Sequence, residues 1–569
     1  VDNAQDNKLA WAAFGLLFLF AAHYFQHNLG GYGLQIAFNN TVWVVALLFG
    51  TIGVFSAVNR GVWRLPSSWL AYVLLFIVLF LPFAWSQQTG EYAIGRFFGV
   101  LGGVFFFVAL FQCFDAKRDE RTLLFILLCS VGIEALLGTL QLFGWQWLPI
   151  GRITGDAIRP QGIFQQPNVF SSYLAMGVAA GLWLLIKHPL PAAKPWQKPM
   201  WLGVIYLTLA LSGFGLYVTL SRTGILALVG VLLLLLWAPK GENRRALFTA
   251  LTFIVIGELA GMIFAELSAP IRDGAGVAAS SNGRTDIWRV SWALFSEHPF
   301  TGVGLGGFEA AYAQQRAVTF AQSGVLALAN VDHPHNELLF WAVEGGCLPL
   351  FALLAFVGYF IWRLARLGRS GLGYGALLLP FALHSLTEYP FYHSATHWFA
   401  FLFLLFLAES RMAQAHEREV KLPYVFKSLS VIGVLVGGLF MVTNLHTIYK
   451  LVEVARANKV AKEGDSPLAP LLDIVNPIVF QNHIEHIAMY ARLQLALKNH
   501  DTKTLQTFIQ WGWQFSEHVV RADTFIYMLE AAQALGDKQQ EEAIRKRAKW
   551  LYPNNPSFDL SASGAAAPR

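Results

Sequence analysis

The chain has 569 residues, 55% apolar and only 13% charged, so it is not an ordinary soluble domain, which carries about 25% charge. Its formal charge of +6 is spread over short loops, a pattern unlike the clustered basic face of a nucleic-acid binder. The three cysteines, Cys113, Cys129 and Cys347, fall in or beside apolar runs and have neither metal nor disulfide spacing.

A helix crosses the hydrocarbon core with about 20 mostly apolar residues. Runs that qualify lie at 9–25, 41–57, 67–84, 93–113, 122–143, 169–186, 200–219, 223–238, 246–267, 337–362, 372–388, 394–409 and 428–446. The first lacks a small-residue cleavage site and reads as an anchor span rather than a signal peptide. The seventh and eighth are interrupted only at Ser221-Arg222-Thr223, which makes them a tight reversal or one broken helix. Alternate loops are basic: Arg60/Arg64, Lys117/Arg118/Arg121, Lys187/Lys194/Lys198, Lys240/Arg244/Arg245, Arg363/Arg366/Arg369 and Arg411/Arg418/Lys421. Between them, 26–40, 85–92 and 388–394 contain no Lys or Arg. The positive-inside bias then puts the N-terminus in the cytoplasm and the C-terminus outside. The expected fold is an all-α polytopic membrane protein with about thirteen transmembrane helices.

Two exported segments stand out by size. Residues 268–336 form a long loop, with a Gly/Ala/Ser stretch from Asp273 to Asn282 expected to be mobile and an amphipathic helix near Arg284 to Leu294. Residues 450–569 turn polar and helical. Within them Leu529 to Asp537, Ala543 and the Pro553-Asn554-Asn555-Pro556 stop look like one tetratricopeptide-type helix pair. The tail from Ser561 to Arg569 reads as disordered. The division expected is a membrane domain at 1–449, including loop 268–336, and an exported helical domain at 450–569.

Against the bias, the exported side keeps seven arginines: Arg152, Arg159, Arg222, Arg272, Arg284, Arg289 and Arg316. Arg159 precedes Gly162 and Pro167-Asn168, a turn where Asn168 can cap a helix whose N-terminus favours an anion. Its plain alternative is an arginine reaching lipid head groups. Arg222 sits between nearly uncharged helices, in a turn that should force it inward, and a charge so placed points to function. Arg284 and Trp288 share one helix face, whereas Arg289 has a salt-bridge partner in Asp286. The Gly-rich run from His298 to Phe308 has no Lys and no strand before it, so it is not a nucleotide phosphate loop.

Asp332-His333-Pro334-His335-Asn336-Glu337 opens the tenth run. No third strong ligand has helical spacing, so no metal site is expected. A histidine at the membrane edge can instead take a proton from an attacking hydroxyl. Arginines beside such a base read as chemistry on a phosphate-linked lipid.

Taken in order, these residues resemble the O-antigen ligase/polymerase superfamily of polytopic envelope glycosyltransferases. The pattern is Arg-x-x-Gly-x-Phe…Pro-Asn at Arg159 to Asn168, Ser-Arg-x-Gly at Ser221 to Gly224, Gly-Arg-x-x-x-Trp at Gly283 to Trp288, and His-Asn-x-x-Leu…Glu-x-Gly from His335. Within that group the chain looks like bacterial protein O-oligosaccharyltransferases, the pilin-glycosylating ligases. Glu388-Tyr389-Pro390-Phe391-Tyr392 in the turn after His384 and the exported helical domain carry that likeness.

The resemblance implies a multi-pass enzyme of the bacterial inner membrane with a periplasmic C-terminal domain and no cofactor or metal. Its partners would be the lipid bilayer, a polyprenyl-pyrophosphate-linked oligosaccharide and an exported acceptor protein such as pilin. Arg159, Arg222 and Arg284 would grip the pyrophosphate, with His333 in support. His335 would act as general base or orient the acceptor, and Tyr389 or Tyr392 would bind acceptor or donor. A lipid A-core O-antigen ligase or an O-antigen polymerase shares this chemistry and takes a sugar hydroxyl instead. A transporter of lipid-linked sugars would also hold pyrophosphate, but the arginines lie on one side and no repeated halves are visible.

Overall fold

The computed structural model describes residues 2–86, 89–144, 159–191, 193–238, 243–268, 274–460 and 468–559; Arg152, Arg272, Asp273 and the tail from Ser561 lie outside the described residues. In chain order the helices are α1 (Asp2–Leu19), α2 (Ala37–Arg60), α3 (Trp69–Phe80), α4 (Ile94–Cys113), α5 (Ala116–Leu142), α6 (Pro167–Lys187) and α7 (Gln197–Val218). Next come α8 (Arg222–Leu236), α9 (Arg244–Leu267), α10 (Gly274–Glu297), α11 (Phe308–Ser323), α12 (Glu337–Gly345), α13 (Cys347–Ala365) and α14 (Arg369–Ser385). The last are α15 (Pro390–His393), α16 (Ala395–Met412), α17 (Pro423–Val460), α18 (Gln481–Asn499), α19 (Thr502–Phe515), α20 (Ala522–Leu535) and α21 (Lys538–Leu551).

Every apolar run of the sequence carries helix. Among the described residues eight helices are long and apolar enough to cross a membrane, and Lys8–His23, Trp69–Ala84 and Arg222–Leu236 are shorter apolar helices. Large side chains such as Phe351 and Ile361 on α13, and Leu435 and Leu439 on α17, stand exposed. An apolar face of that extent belongs in lipid. The chain is a multi-pass membrane protein.

Two compact units divide it. The first comprises Val1–Val73, Phe98–Asp273 and Phe356–Val479; the second comprises Leu74–Phe97, Gly274–Ala355 and Phe480–Arg569. This division differs from a cut at 449/450, because the segment read as a loop of the membrane domain packs with the C-terminal helices. Arg316 on α11 is buried and donates to the carbonyls of Ala327 (2.6 Å) and Leu551 (2.8 Å). Arg521 pairs with Glu309 at 2.5 Å, and Arg547 donates to Gln314 at 3.0 Å. Beyond these contacts, α18 to α21 stack each against the next.

In the first unit α6 is apolar or small all round from Val169 to Ile186 and is buried along that length, as a central helix must be. It is packed by α5, α7, α8 and α14. The basic loops gather at one end of this unit. There β1 (Val62–Leu65) pairs antiparallel with β2 (His416–Glu419), placing Arg64 opposite Glu417. Arg363 is bonded to Glu409, and Arg411 to Glu120.

Three elements add detail to the expected spans and loops. The tenth run is not one span: its helix ends at Gly345, Gly346 takes φ +79°, and α13 starts afresh at Cys347. The Gly/Ala/Ser stretch is helical from Gly274, as the first part of α10, because its alanines favour helix continuing into the amphipathic part. The seventh and eighth runs are separate helices joined at Thr219-Leu220-Ser221. After that turn α8 packs on α6 and α14 rather than back along α7.

Candidate functional site

In the first unit, the segment after Arg159 is held from several sides. Gln141 on α5 accepts from the backbone of Gln161 (3.2 Å) and Gly162 (3.0 Å) and donates to the Gly162 carbonyl (2.9 Å). The Glu134 carboxylate accepts from the Ile163 N–H at 3.0 Å and is bonded to His23 at 2.5 Å. Gly162 has φ +55°, and a Cβ there would lie 2.4 Å from Glu134 Oε2, so only glycine fits the turn. The fully buried Phe164 ring anchors it among Phe38, Tyr173 and His397. Sequence reasoning put the cap of α6 on Asn168. The structure places it on Gln166, which accepts from Val169 N–H at 2.7 Å, because Pro167 occupies the first helical position.

Asn168 is freed by this to donate to Glu388 at 3.2 Å, and His393 is bonded through Nε2 to the Phe164 carbonyl at 2.9 Å. The Glu388–His393 turn is thus locked onto the Arg159 segment. It is also tied to the start of α2 and the segment before it: Asn39 on α2 donates to the carbonyls of Gly33 and His393, and the Tyr389 ring meets Tyr32 edge-on. Tyr389 and Tyr392 are half-buried on this turn. Burial holds the His393 imidazole below its ordinary pKa, against the pull of the Phe164 carbonyl and Glu388. Arg159 Nε donates to the Thr219 carbonyl at 2.6 Å, so it grips the same turn that carries Arg222. Ser221 caps α8 by accepting from Gly224 N–H at 3.2 Å, which accounts for the Ser-Arg-x-Gly spacing. Arg222 itself is exposed and not forced inward, since it begins α8 on the helix face away from α6 and α14.

In the second unit, α10 meets the histidine turn: Trp288, one helical turn beyond Arg284, donates from its indole to the Pro334 carbonyl at 2.9 Å. Arg284 is half-buried on that helix. His333 is buried, and its Nδ1 accepts from the backbone N–H of His335 at 2.9 Å. That bond leaves the His333 proton on Nε2, which faces Glu337 at 3.7 Å. Burial depresses the His333 pKa, with Glu337 opposing. His335 is half-buried in the left-handed region at φ +55°, a conformation that costs of order 1–3 kcal/mol and needs such a clamp. Asn336 then caps α12, accepting from Leu339 N–H at 3.0 Å. Among the described residues no three of His, Cys, Asp and Glu converge as ligands for a metal ion.

Two of the seven arginines have other employment. Arg289 is exposed and paired with Asp286 at 3.0 Å, and Arg316 is the buried tether of α11. Sequence reasoning quoted Glu388 and Glu344 within motifs without giving them a role, and missed Gln141, Glu134, His393 and Arg96 as parts of the two settings. Glu134 and Arg96 could have been found, because a charge inside an apolar run is a functional signal by default. The pairings Asn168–Glu388 and Phe164–His393 join positions far apart in the chain and leave no local trace.

Three family models match the chain. Residues 160–185 match a protein glycosylation ligase model, 207–355 an O-antigen ligase model, and 374–562 the C-terminal model of a virulence factor membrane-bound polymerase. The first covers the clamped segment after Arg159, the second contains Arg222, Arg284 and both histidines, and the third contains the Glu388–Tyr392 turn. No curated protein matches the chain.

Proposed function

From the chain's membership of the O-antigen ligase/polymerase superfamily, with a segment of the protein glycosylation ligase type, we propose that it is an O-linked oligosaccharyltransferase of the bacterial inner membrane. It moves an oligosaccharide from polyprenyl pyrophosphate to Ser or Thr hydroxyls of exported proteins such as pilin. The observation that carries this reading is the joining of the segment after Arg159, which matches the glycosylation ligase over 160–185, to the Glu388–Tyr392 turn.

The acceptor oxygen attacks the anomeric carbon as the bond from that carbon to pyrophosphate breaks. The pyrophosphate leaves with the electron pair, and the hydroxyl proton passes to His335. Charge therefore grows on phosphate oxygens, where Arg159, Arg222 and Arg284 stabilise it by bidentate hydrogen bonding. His333 fixes the backbone of His335, and Tyr389 and Tyr392 contact acceptor or donor. No divalent ion has a part, so transfer persists in EDTA; a loss restored by added Mg or Mn contradicts this. The O-antigen ligase and polymerase matches favour a second reading, with a sugar hydroxyl on lipid A-core or on another lipid-linked glycan as acceptor. Intact masses of pilins and periplasmic proteins, with and without the gene, separate the two. A glycan-sized mass lost on deletion supports the protein acceptor, whereas unchanged proteins with shortened lipopolysaccharide support the sugar acceptor.

A further inference from the structure

The Gly-rich run from Phe300 to Gly307 and the Glu344-Gly345-Gly346 motif have no place in the proposed chemistry, yet the second unit brings them together around one buried ion pair. Arg96, on the first turn of α4, is bonded to Glu344 near the end of α12; the two side chains are 8% and 1% exposed. The guanidinium also lies over the rings of Phe340 (4.4 Å) and Trp341 (4.8 Å), both on α12. The Trp341 indole donates to Glu337 at 2.8 Å, and Glu337 is the carboxylate facing His333. His333 in turn receives the backbone N–H of His335. An unbroken set of contacts thus runs from Arg96 to the turn that bears His335.

The Gly-rich run supplies the frame. Val303 and Gly304 donate to the carbonyls of Val343 and Glu344, and Cys347 donates to Pro299. On its other side, Leu305 receives the Ser86 hydroxyl as acceptor for its N–H, and Thr89 donates to the Leu305 carbonyl. Gly302 has φ +63°, and a Cβ there would meet the Glu344 carbonyl oxygen at 2.4 Å. Side chains are excluded because two backbone segments must close on the pair.

We infer that Arg96 and Glu344 are positioning residues for His335, setting the orientation of α12 and hence of the His333–His335 turn at its start. This rests on the proposed function for His335 but reads out separately from it. Misplacing a reacting group by about 1 Å costs about a hundredfold in rate, while donor affinity, which lies with other residues, is spared. Removing one charge alone leaves the other buried and unpaired, which threatens folding, whereas replacing both by apolar side chains of similar size is commonly neutral for stability.

The test compares Glu344→Gln, Arg96→Lys and the double variant Arg96→Met/Glu344→Met with wild type in purified, lipid-reconstituted protein. The double variant is expected to keep its melting temperature and donor KM within about twofold and to lose about a hundredfold in kcat. Carbethoxylation of His335 by diethyl pyrocarbonate, located by peptide fragmentation, reads the order of the turn without turnover. It should be faster in the double variant and in Glu344→Gln, with Arg96→Lys between those and wild type. Wild-type kcat and wild-type labelling in the double variant overturn the inference. Faster labelling in a protein whose wild type transfers no glycan to any hydroxyl acceptor leaves this inference standing and defeats the functional reading.

Discussion

At the end of the first unit built from Lys- and Arg-bearing loops, guanidinium groups meet carboxylates: Arg411 with Glu120 at 2.5 Å, Arg363 with Glu409 at 2.7 Å, and Arg64 with Glu417 at 3.3 Å. At the opposite end, Arg159 donates to the Thr219 carbonyl and Arg222 stands exposed at the start of α8. Near Arg159, Glu388 is bonded to Asn168, and Glu134 to the Ile163 backbone and His23. At one end the arginines fasten helices through carboxylates; at the other, Arg159 holds the backbone of the turn that carries Arg222. The partner a guanidinium meets, more than its position in the sequence, tells the two uses apart.

The bluntest way to break this comparison is to put both ends on the same side of the membrane. A reporter fused after Lys421 should be cytoplasmic, and one fused within 468–559 periplasmic. A cytoplasmic C-terminal reporter removes the exported placement of the Arg159 end.

Next in size is the histidine pair. His335→Ala should lose about a hundred- to ten-thousand-fold in transfer rate with donor binding retained, and His333→Ala far less. The reverse ranking would make His333 the base, and a matching loss of donor binding in His335→Ala would move that residue to the pyrophosphate site.

Substituting arginines at the two ends should then fail in different ways. Arg159→Ala and Arg222→Ala should insert and melt as wild type but lose about 10²–10³ in kcat, with Lys a poor replacement. Arg363→Ala removes the cation paired with buried Glu409 and should cost about 3–5 kcal/mol of stability, Arg411→Ala less because Glu120 keeps Lys187 and His188, with activity per folded molecule nearly intact in both. Wild-type rates in Arg159→Ala and Arg222→Ala proteins would erase the distinction.

The smallest effect is pH dependence at the Glu388–His393 turn. His393 is held by burial below its ordinary value near 6.5, with Glu388 and His397 the titratable groups acting on it or acted on by it. A depressed histidine adds stability that is complete above the unfolded value and is lost as pH falls through the folded one. Hydrogen exchange of 388–394 should accelerate below about pH 6.5, and His393→Gln should flatten that dependence. Exchange that slows on acidification would contradict the assignment.

Hydropathy made the helices legible, because a lipid-facing or centrally buried helix must be apolar over its whole length. The split at Gly346 was hidden by an apolar run that continues through it. Helix α11 escaped notice because a polar segment between spans looks like loop, although Phe308, Tyr312 and Arg316 fall one turn apart and are buried. The same contacts join α11 to the C-terminal helices. Of the candidate site, Arg159, Arg222, Arg284 and the histidine turn were readable as charges or caps where none is expected. Gln141 and His393 were not, since each matters only through a partner brought near by folding.

Most directly at stake is whether this protein joins a lipid-linked glycan to a protein hydroxyl. The decisive measurement mixes purified, lipid-reconstituted protein with polyprenyl-pyrophosphate oligosaccharide and a pilin-like acceptor, and follows acceptor mass and released polyprenyl pyrophosphate together. The account predicts one glycan mass added to a Ser or Thr for each pyrophosphate lipid released. Movement of the lipid-linked sugar across the bilayer with neither product formed would contradict it.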